Sequence, residues 1–261
     1  MTQTGTSKAG RALVTGASTG IGRAIAQELV ERGYDVVVAA EEPAIRTAAA
    51  DLGALAVQVD LTTASGVEHL HERATAAGPL DVLVLNAGVG VGGRFDKTPL
   101  ESHLGLVDLN VRSTVHLAHL VLGEMVARGA GRVLVTSSIA AVAPGPYHAT
   151  YAASKAFVHS FAEGVREELK DTGVTVTSLM PGPTDTEFFS RADMGDTKLG
   201  QMEDKDDPRE VARDGVEAML AGRSSVVAGS FRNRIQAELG THLPDAIANP
   251  IFARMTRPEG E

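Results

Sequence analysis

Tyr151 and Lys155 stand four residues apart in the run ATYAASKAFVHSF, and Ser138 stands 13 residues before the tyrosine. Residues four apart on a helix share one face, with Cβ atoms about 5–6 Å apart. A free phenol, with a pKa near 10, is a poor proton donor or acceptor at neutral pH. A neighbouring ammonium favours the phenolate and lowers that pKa towards a working range. Lys155 can supply the charge, and Ser138 can hydrogen-bond the oxygen of an alcohol or a carbonyl. Together the three make a candidate proton-transfer site. Alone, Tyr-x-x-x-Lys also arises on ordinary amphipathic helices, so its meaning depends on the elements that carry it.

An apolar run, Val133 to Val135, ends in Thr136-Ser137-Ser138 and predicts a buried strand with Ser138 at its carboxyl edge. A Pro/Gly loop follows, then a helix over 150–171 carrying Tyr151 and Lys155. Upstream, a strand at 12–15 leads into Gly16-x-x-x-Gly20-Ile21-Gly22 and a helix over 23–32. In such a strand–turn–helix, glycines let the backbone approach a pyrophosphate, which then sits at the positive helix N-terminus. A plain tight turn is the alternative. Further strands at 35–40, 55–59, 81–85, 174–180 and 225–229 alternate with helices at 43–52, 64–77, 100–127 and 208–222. This alternation predicts an α/β, Rossmann-type doubly wound parallel sheet of about seven strands with helices on both faces.

Two stretches read as loops near the chemistry. Residues 88–93 are glycine-rich and read as a flexible gate. Residues 187–206 lack a sustained period and read as a functional loop or lid, in which Phe188 and Phe189 serve either core packing or an apolar substrate wall. The chain as a whole reads as one domain, with a core over 11–229 and a helical tail over 230–261. In the tail, Ile235 and Leu239 form one apolar stripe, and Ile247, Ile251, Phe252 and Met255 form another. That tail is expected to help close the substrate site or to meet a partner subunit. Pro244, Pro250 and the acidic charge speak against a membrane-surface helix.

Composition narrows the classes. A net charge of −9 argues against a general nucleic-acid or anionic-membrane binder. The absence of cysteine removes disulfides, thiolate metal sites and cysteine nucleophiles, and fits a reducing cytoplasm. No run reaches the roughly 18 apolar residues of a membrane span, and the first residues lack the apolar core of a signal peptide. His116 and His119 read as surface or subunit-interface residues rather than metal ligands, and His69 and His71 as solvated.

With these motifs assembled, residues 11 to about 229 resemble the short-chain dehydrogenase/reductase family in its single-domain branch. The resemblance rests on Thr15-Gly16-x-x-x-Gly20-Ile21-Gly22, Asp60-Leu61-Thr62, Asn86-Ala87-Gly88, Asn110, Ser138, Tyr151-x-x-x-Lys155 and Pro181-Gly182 with Thr186. It implies that Gly16, Ser18, Gly20, Ile21 and Gly22 form the pyrophosphate turn. Asp60, with Leu61 beside it, would meet the adenine, and Asn86, Ala87 and Gly88 would flank the adenosine ribose. Tyr151 would be the general acid/base and Ser138 would orient the substrate oxygen. Lys155 would hold the nicotinamide ribose and lower the tyrosine pKa, and Asn110 would hold a relay water. Pro181, Gly182, Thr184 and Thr186 would meet the nicotinamide end. The implied reaction interconverts a secondary alcohol and a ketone.

Glu41-Glu42 after the second strand favours NAD over NADP, because a carboxylate accepts from a ribose 2′-hydroxyl and repels a 2′-phosphate. The strand ends on Ala40, where NAD-dependent members carry aspartate, and Arg46 could reach a phosphate. The implied partners are a small carbonyl or alcohol substrate and a second copy of the chain, as homodimer or homotetramer. Two other functions compete: a non-catalytic dinucleotide sensor and a sugar-nucleotide epimerase or dehydratase. Retention of both Tyr151 and Lys155 argues against the first, and the short segment after the last strand against the second.

Overall fold

Seven short apolar segments pair into one parallel sheet: β1 (Arg11–Thr15), β2 (Asp35–Ala40), β3 (Leu55–Gln58), β4 (Val82–Leu85), β5 (Gly131–Thr136), β6 (Val174–Pro181) and β7 (Ser225–Ala228). This computed structural model describes residues 9–229 and 245–258. The strand order is β3-β2-β1-β4-β5-β6-β7. Successive residues of a strand point to opposite faces. Leu13, Val37, Leu83 and Val133 therefore enter one core, and Ala12, Val14, Val36, Val84 and Leu134 the other. Both faces are covered, which is why the strands read as unbroken apolar runs rather than alternating ones.

The helices divide between those faces. α1 (Gly20–Glu31), α2 (Ala44–Leu52) and α8 (Pro208–Leu220) pack on one core; α3 (Ala64–Thr75), α5 (Ser113–Arg128) and α6 (Ala149–Glu168) pack on the other. The order reverses between β1 and β4, and this switch point opens a crevice at the carboxyl ends of the strands.

Four local features differ from the sequence expectation. α1 starts at Gly20, not three residues later, because the glycine turn supplies the first helical turn. The expected single helix over 100–127 consists of α4 (Leu100–Val107), a π-helical turn at Asp108–Arg112 and α5. Segment 187–206 holds a one-turn helix, α7 (Phe188–Arg191), and is pinned by a bridge between Thr184 and Asp206. The tail helix α9 (Asp245–Thr256) continues through Pro250, which forgoes only one backbone bond. Ile235 and Leu239, and the side chains of Ile247 and Ile251, lie outside the described residues.

Candidate active site

The turn after β1 is built by close approach. Gly16 sits at φ 66°, in the left-handed region, and a Cβ on Gly22 would fall 2.2 Å from the Gly16 carbonyl oxygen. Only glycine fits there. Thr19 precedes α1 without a side-chain cap, and the first turn carries no acid. The first backbone N–H groups of α1 therefore face the turn, the arrangement that accepts an anionic group.

Asn86 ties this turn to β4. Its Nδ2 donates to the carbonyls of Thr15 (3.1 Å) and Gly16 (3.2 Å). The Thr15 hydroxyl accepts from the N–H groups of Asn86 and Ala87, each at 3.0 Å. Asp60 Oδ1 accepts from the N–H (2.8 Å) and hydroxyl (2.7 Å) of Thr62, which fixes the turn before α3, whose cap is Thr63.

Beyond β2 the two glutamates differ. Glu41 is exposed, whereas Glu42, half-exposed, is tied down: Oε2 accepts from Ser18 Oγ (3.1 Å) and Oε1 from Arg191 Nη1 (2.7 Å). Arg46 is exposed.

At the other end, the turn after β5 brings Ser138 close enough to Tyr151 for its hydroxyl to hold the phenol's pKa down, while Ser138 Oγ accepts from the Ala140 N–H at 3.1 Å. Lys155 is 6% exposed; its Nζ donates to the Thr136 carbonyl at 2.9 Å and lies 5.8 Å from the Tyr151 ring centre. Asn110, inside the π-helical turn, accepts from the Val89 N–H and donates to the Val89 carbonyl, both at 2.9 Å, and donates to Ser154 Oγ at 3.0 Å. A π turn widens the helix by one residue, and such turns gather at functional sites. Thr184 donates to the Gly182 carbonyl at 2.9 Å, and Thr186 Oγ1 accepts from the Phe188 N–H at 3.3 Å.

These residues surround one cleft of about 320 Å³. Its walls include Gly16, Ser18, Gly20, Ile21, Gly22, Glu41, Asp60 and Leu61 at one end. Asn86, Ala87, Gly88, Ser138, Tyr151, Lys155, Pro181, Gly182, Thr184 and Thr186 line the middle. Asn110, 2% exposed, stands behind the wall.

The glycine loop after Gly88 is not free. A Cβ on Gly90 would fall 2.7 Å from both Phe188 and Ala192, and one on Gly92 would fall 2.6 Å from Met194. Its glycines serve close packing against the α7 segment. In this conformation the loop expected as a gate is packed onto that segment, with the Gly92 N–H donating to the Ala192 carbonyl at 2.8 Å. Phe188 lies tilted against Tyr151 on the cleft wall, ring centres 5.2 Å apart, and Phe189 packs at 8% exposure among Ala192 and Met194.

Burial dominates the electrostatics. It pushes Tyr151 up to about 12, opposed only by the Ser138 hydrogen bond. It pushes Lys155 down to about 8. Desolvation of the phenolate, and not the expected lowering by the ammonium, therefore sets the direction of the phenol's shift. His148, at the N-terminal cap of α6, is also pushed down by burial, partly offset by its bond to the Pro146 carbonyl.

Elsewhere, His71 Nε2 lies 3.0 Å from Glu124 Oε1 across α3 and α5, and is not simply solvated. Among the described residues no group of three potential ligands could hold a metal ion, and no helix is long and apolar enough to cross a membrane.

The family model described as short chain dehydrogenase matches residues 10–196. The chain is a member of that family. An uncharacterized oxidoreductase of Staphylococcus saprophyticus is 32% identical over 216 residues, covering 80% of this chain and 90% of the relative. A short-chain dehydrogenase from Sphingobium yanoikuyae, solved in complex with NADPH, superposes with a TM-score of 0.78 at 27% identity, covering 84% of this chain and 87% of the other. A 3-ketoacyl-(acyl-carrier-protein) reductase from Brucella melitensis, complexed with NADH, gives a TM-score of 0.74 at 25% identity, covering 84% and 97%. This short-chain dehydrogenase is accordingly an oxidoreductase that acts on CH–OH groups with NAD or NADP.

Part of the cleft in this dehydrogenase lies beyond the matched stretch. Leu199, Phe252, Met255 and Thr256 form its far wall. α9 is docked by the Leu199 N–H, which donates to the Met255 carbonyl at 3.1 Å, and by Thr256 Oγ1, which donates to the Pro146 carbonyl at 2.7 Å. Sequence reasoning missed His148, Arg191 and Thr256. His148 had a signal: it precedes Tyr151 by three residues at the start of the same helix. Arg191 and Thr256 had none, because their partners are remote in the chain.

Proposed function

We propose that this enzyme interconverts secondary alcohols and ketones, with Tyr151 as general acid/base, Ser138 orienting the substrate oxygen and Lys155 holding the tyrosine's electrostatic environment. The observation that carries the reading is the convergence of the Ser138 hydroxyl, the Tyr151 phenol and the buried Lys155 ammonium on one wall of the cleft. The turn at Gly16–Gly22 fits a dinucleotide, since a Cβ would fill its cradle and the α1 N–H groups are uncapped. Gly16, Ser18, Gly20, Ile21 and Gly22 would hold its pyrophosphate, Asp60 and Leu61 its adenine, and Asn86–Gly88 its ribose. Pro181, Gly182, Thr184 and Thr186 would hold the nicotinamide end. When bound, the dinucleotide supplies or accepts hydride at nicotinamide C4.

The chain's own residues handle the proton. In reduction, Ser138 Oγ donates to the carbonyl oxygen, and Tyr151 transfers its Oη proton to that oxygen as the alcohol forms. With a pKa near 12 the phenol is protonated at neutral pH and ready to donate. The Lys155 charge stabilises the phenolate left behind, and Asn110, adjoining Lys155 through Gly88, holds the water through which the proton is replaced. In oxidation the same steps run backwards. Phe188 and the α9 residues Phe252 and Met255 exclude water and favour an apolar substrate.

NAD is the preferred dinucleotide in this proposal, on the strength of Glu41 and Glu42. The functional unit is the core over 11–229, with the tail closing the substrate end. The exposed Leu100 (60%) and Leu104 (54%) on α4 and Phe157 (45%) on α6 support self-association through those helices. A turnover screen of ketones and secondary alcohols with both dinucleotides, following absorbance of the reduced nicotinamide, tests the reading. Turnover that survives Tyr151→Phe on the best substrate overturns it.

A further inference from the structure

The substrate end of the cleft is apolar except for a few polar side chains, and most of those are committed. Ser138 is engaged by Tyr151 and by the Ala140 N–H, at 3.1 Å. Thr256 Oγ1 lies 2.7 Å from the Pro146 carbonyl and 2.8 Å from that of Phe252, so its proton is held by the backbone. His148 differs. Its ring lines the cleft with its centre 6.1 Å from that of Tyr151. Nδ1 lies 3.0 Å from the Pro146 carbonyl oxygen. A carbonyl can only accept, so Nδ1 carries the proton and Nε2 presents a lone pair. Burial holds the ring neutral.

Gly145 packs close against that edge, and its missing side chain keeps the nitrogen from being covered. A Cβ on Gly145 would fall 2.8 Å from His148 Nε2. Tyr147 adopts φ 62°, the left-handed region that a bulky residue rarely enters, and this turn sets the direction of the next side chain. The tail fixes the same loop from outside. Arg257 lies over the Tyr147 ring at 5.5 Å, and Thr256 shares the Pro146 carbonyl with His148. A strained loop held at both ends positions one neutral acceptor beside the acid/base.

We propose that His148 sets substrate specificity: Nε2 accepts a hydrogen bond from a hydroxyl that the substrate carries a few bonds from its reacting carbonyl. The inference rests on the ketone–alcohol reading above and names its substrate class as hydroxyketones with an apolar body, and the diols they form. The hydroxyl bonded to His148 undergoes no chemistry. Hydride and the Tyr151 proton add across the carbonyl alone. His148 is thus a positioning residue.

The experiment compares two hydroxyketones, benzoin and diacetone alcohol, with their methyl ethers, which keep the shape but lose the donor. The wild-type enzyme is expected to favour the hydroxyketone of a pair in kcat/KM by about tenfold, mainly through KM. His148→Phe should bring that ratio towards one, and His148→Gln, which keeps an acceptor, should restore much of it. Nitrogen NMR of the wild-type imidazole should show the Nδ1–H tautomer at neutral pH. Equal wild-type use of hydroxyketone and ether, a ratio that persists in His148→Phe, or an Nε2–H tautomer overturns the proposal. Those outcomes leave the ketone–alcohol reading standing if simple ketones turn over. Failure of every ketone and alcohol with both dinucleotides overturns that reading and the proposal together.

Discussion

Arg191 and Glu42, 149 residues apart in the chain, meet at 2.7 Å between the end of β2 and the α7 segment, both lining the cleft. Arg191 also reaches Glu187 at 2.6 Å, and Glu42 accepts from Ser18. The pair is about half exposed and adds little to stability. Its interest is positional: it brings a guanidinium to the edge that the proposed function assigns to the ribose hydroxyl or 2′-phosphate.

Cofactor preference should follow from that edge. NADH should bind more tightly than NADPH in a fluorescence titration, and Glu41→Arg should shift preference towards NADP. Glu42→Ala should do the same, because it removes a carboxylate and releases Arg191 Nη1, leaving only the Nη2 bond to Glu187. Arg191→Ala should widen the margin in favour of NAD. Tighter binding of NADPH than NADH by the wild type would reverse the assignment.

Tyr151→Phe removes the proton-bearing hydroxyl and keeps the ring that packs at a tilt against Phe188. Turnover should fall by about 10²–10⁴-fold, with dinucleotide binding retained. Carbonyl reduction should decline and alcohol oxidation rise as pH increases, since the first needs the phenol and the second the phenolate. Rate profiles in both directions check this.

Lys155 carries a stability cost that depends on pH. Its folded pKa is lowered to about 8 from 10.5, so between those values the unfolded chain holds the proton and the folded one does not. Stability from this group therefore rises with pH through that window. Below about pH 8 the buried ammonium is charged in both states and its full penalty is present. Lys155→Met should be the more stable protein at pH 7, by on the order of 3 kcal/mol before compensation, and should lose that advantage towards pH 10. The same variant should lose turnover and dinucleotide affinity. Denaturant unfolding at several pH values is the measurement.

Removing the chain after Ser230 takes away Phe252, Met255 and the Thr256 bond to Pro146. The melting temperature should fall, and KM for an apolar ketone should rise more than the Kd for NADH. A truncated enzyme with wild-type kinetics, light-scattering mass and melting temperature would show the tail to be passive.

The sheet was legible because its inner strands β1, β2, β4 and β5 are buried on both faces and read as apolar runs closed by turn residues. The glycines of the phosphate turn, Ser138, Tyr151 and Lys155 were legible because local geometry, one turn or one helix face, already fixes what those residues can share. The π-helical turn at Asn110 left no comparable mark, since its extra residue is held by the distant Val89 backbone and Ser154. The electrostatic balance at Tyr151 was misjudged for a related reason. Spacing shows that an ammonium is near, but the depth of burial that outweighs it is a property of the packed molecule. Likewise the Gly90 and Gly92 contacts, the Arg191–Glu42 pair and the Thr256–Pro146–His148 arrangement join segments far apart in the chain. Sequence by itself determined the sheet, and it grouped the Gly16–Gly22 turn and the Ser138, Tyr151 and Lys155 side chains that the proposal uses, all through short-range period and spacing. Tertiary structure alone decided which side chains close the cleft around the substrate and how its charges are tuned, because both depend on long-range contact and on exclusion of water.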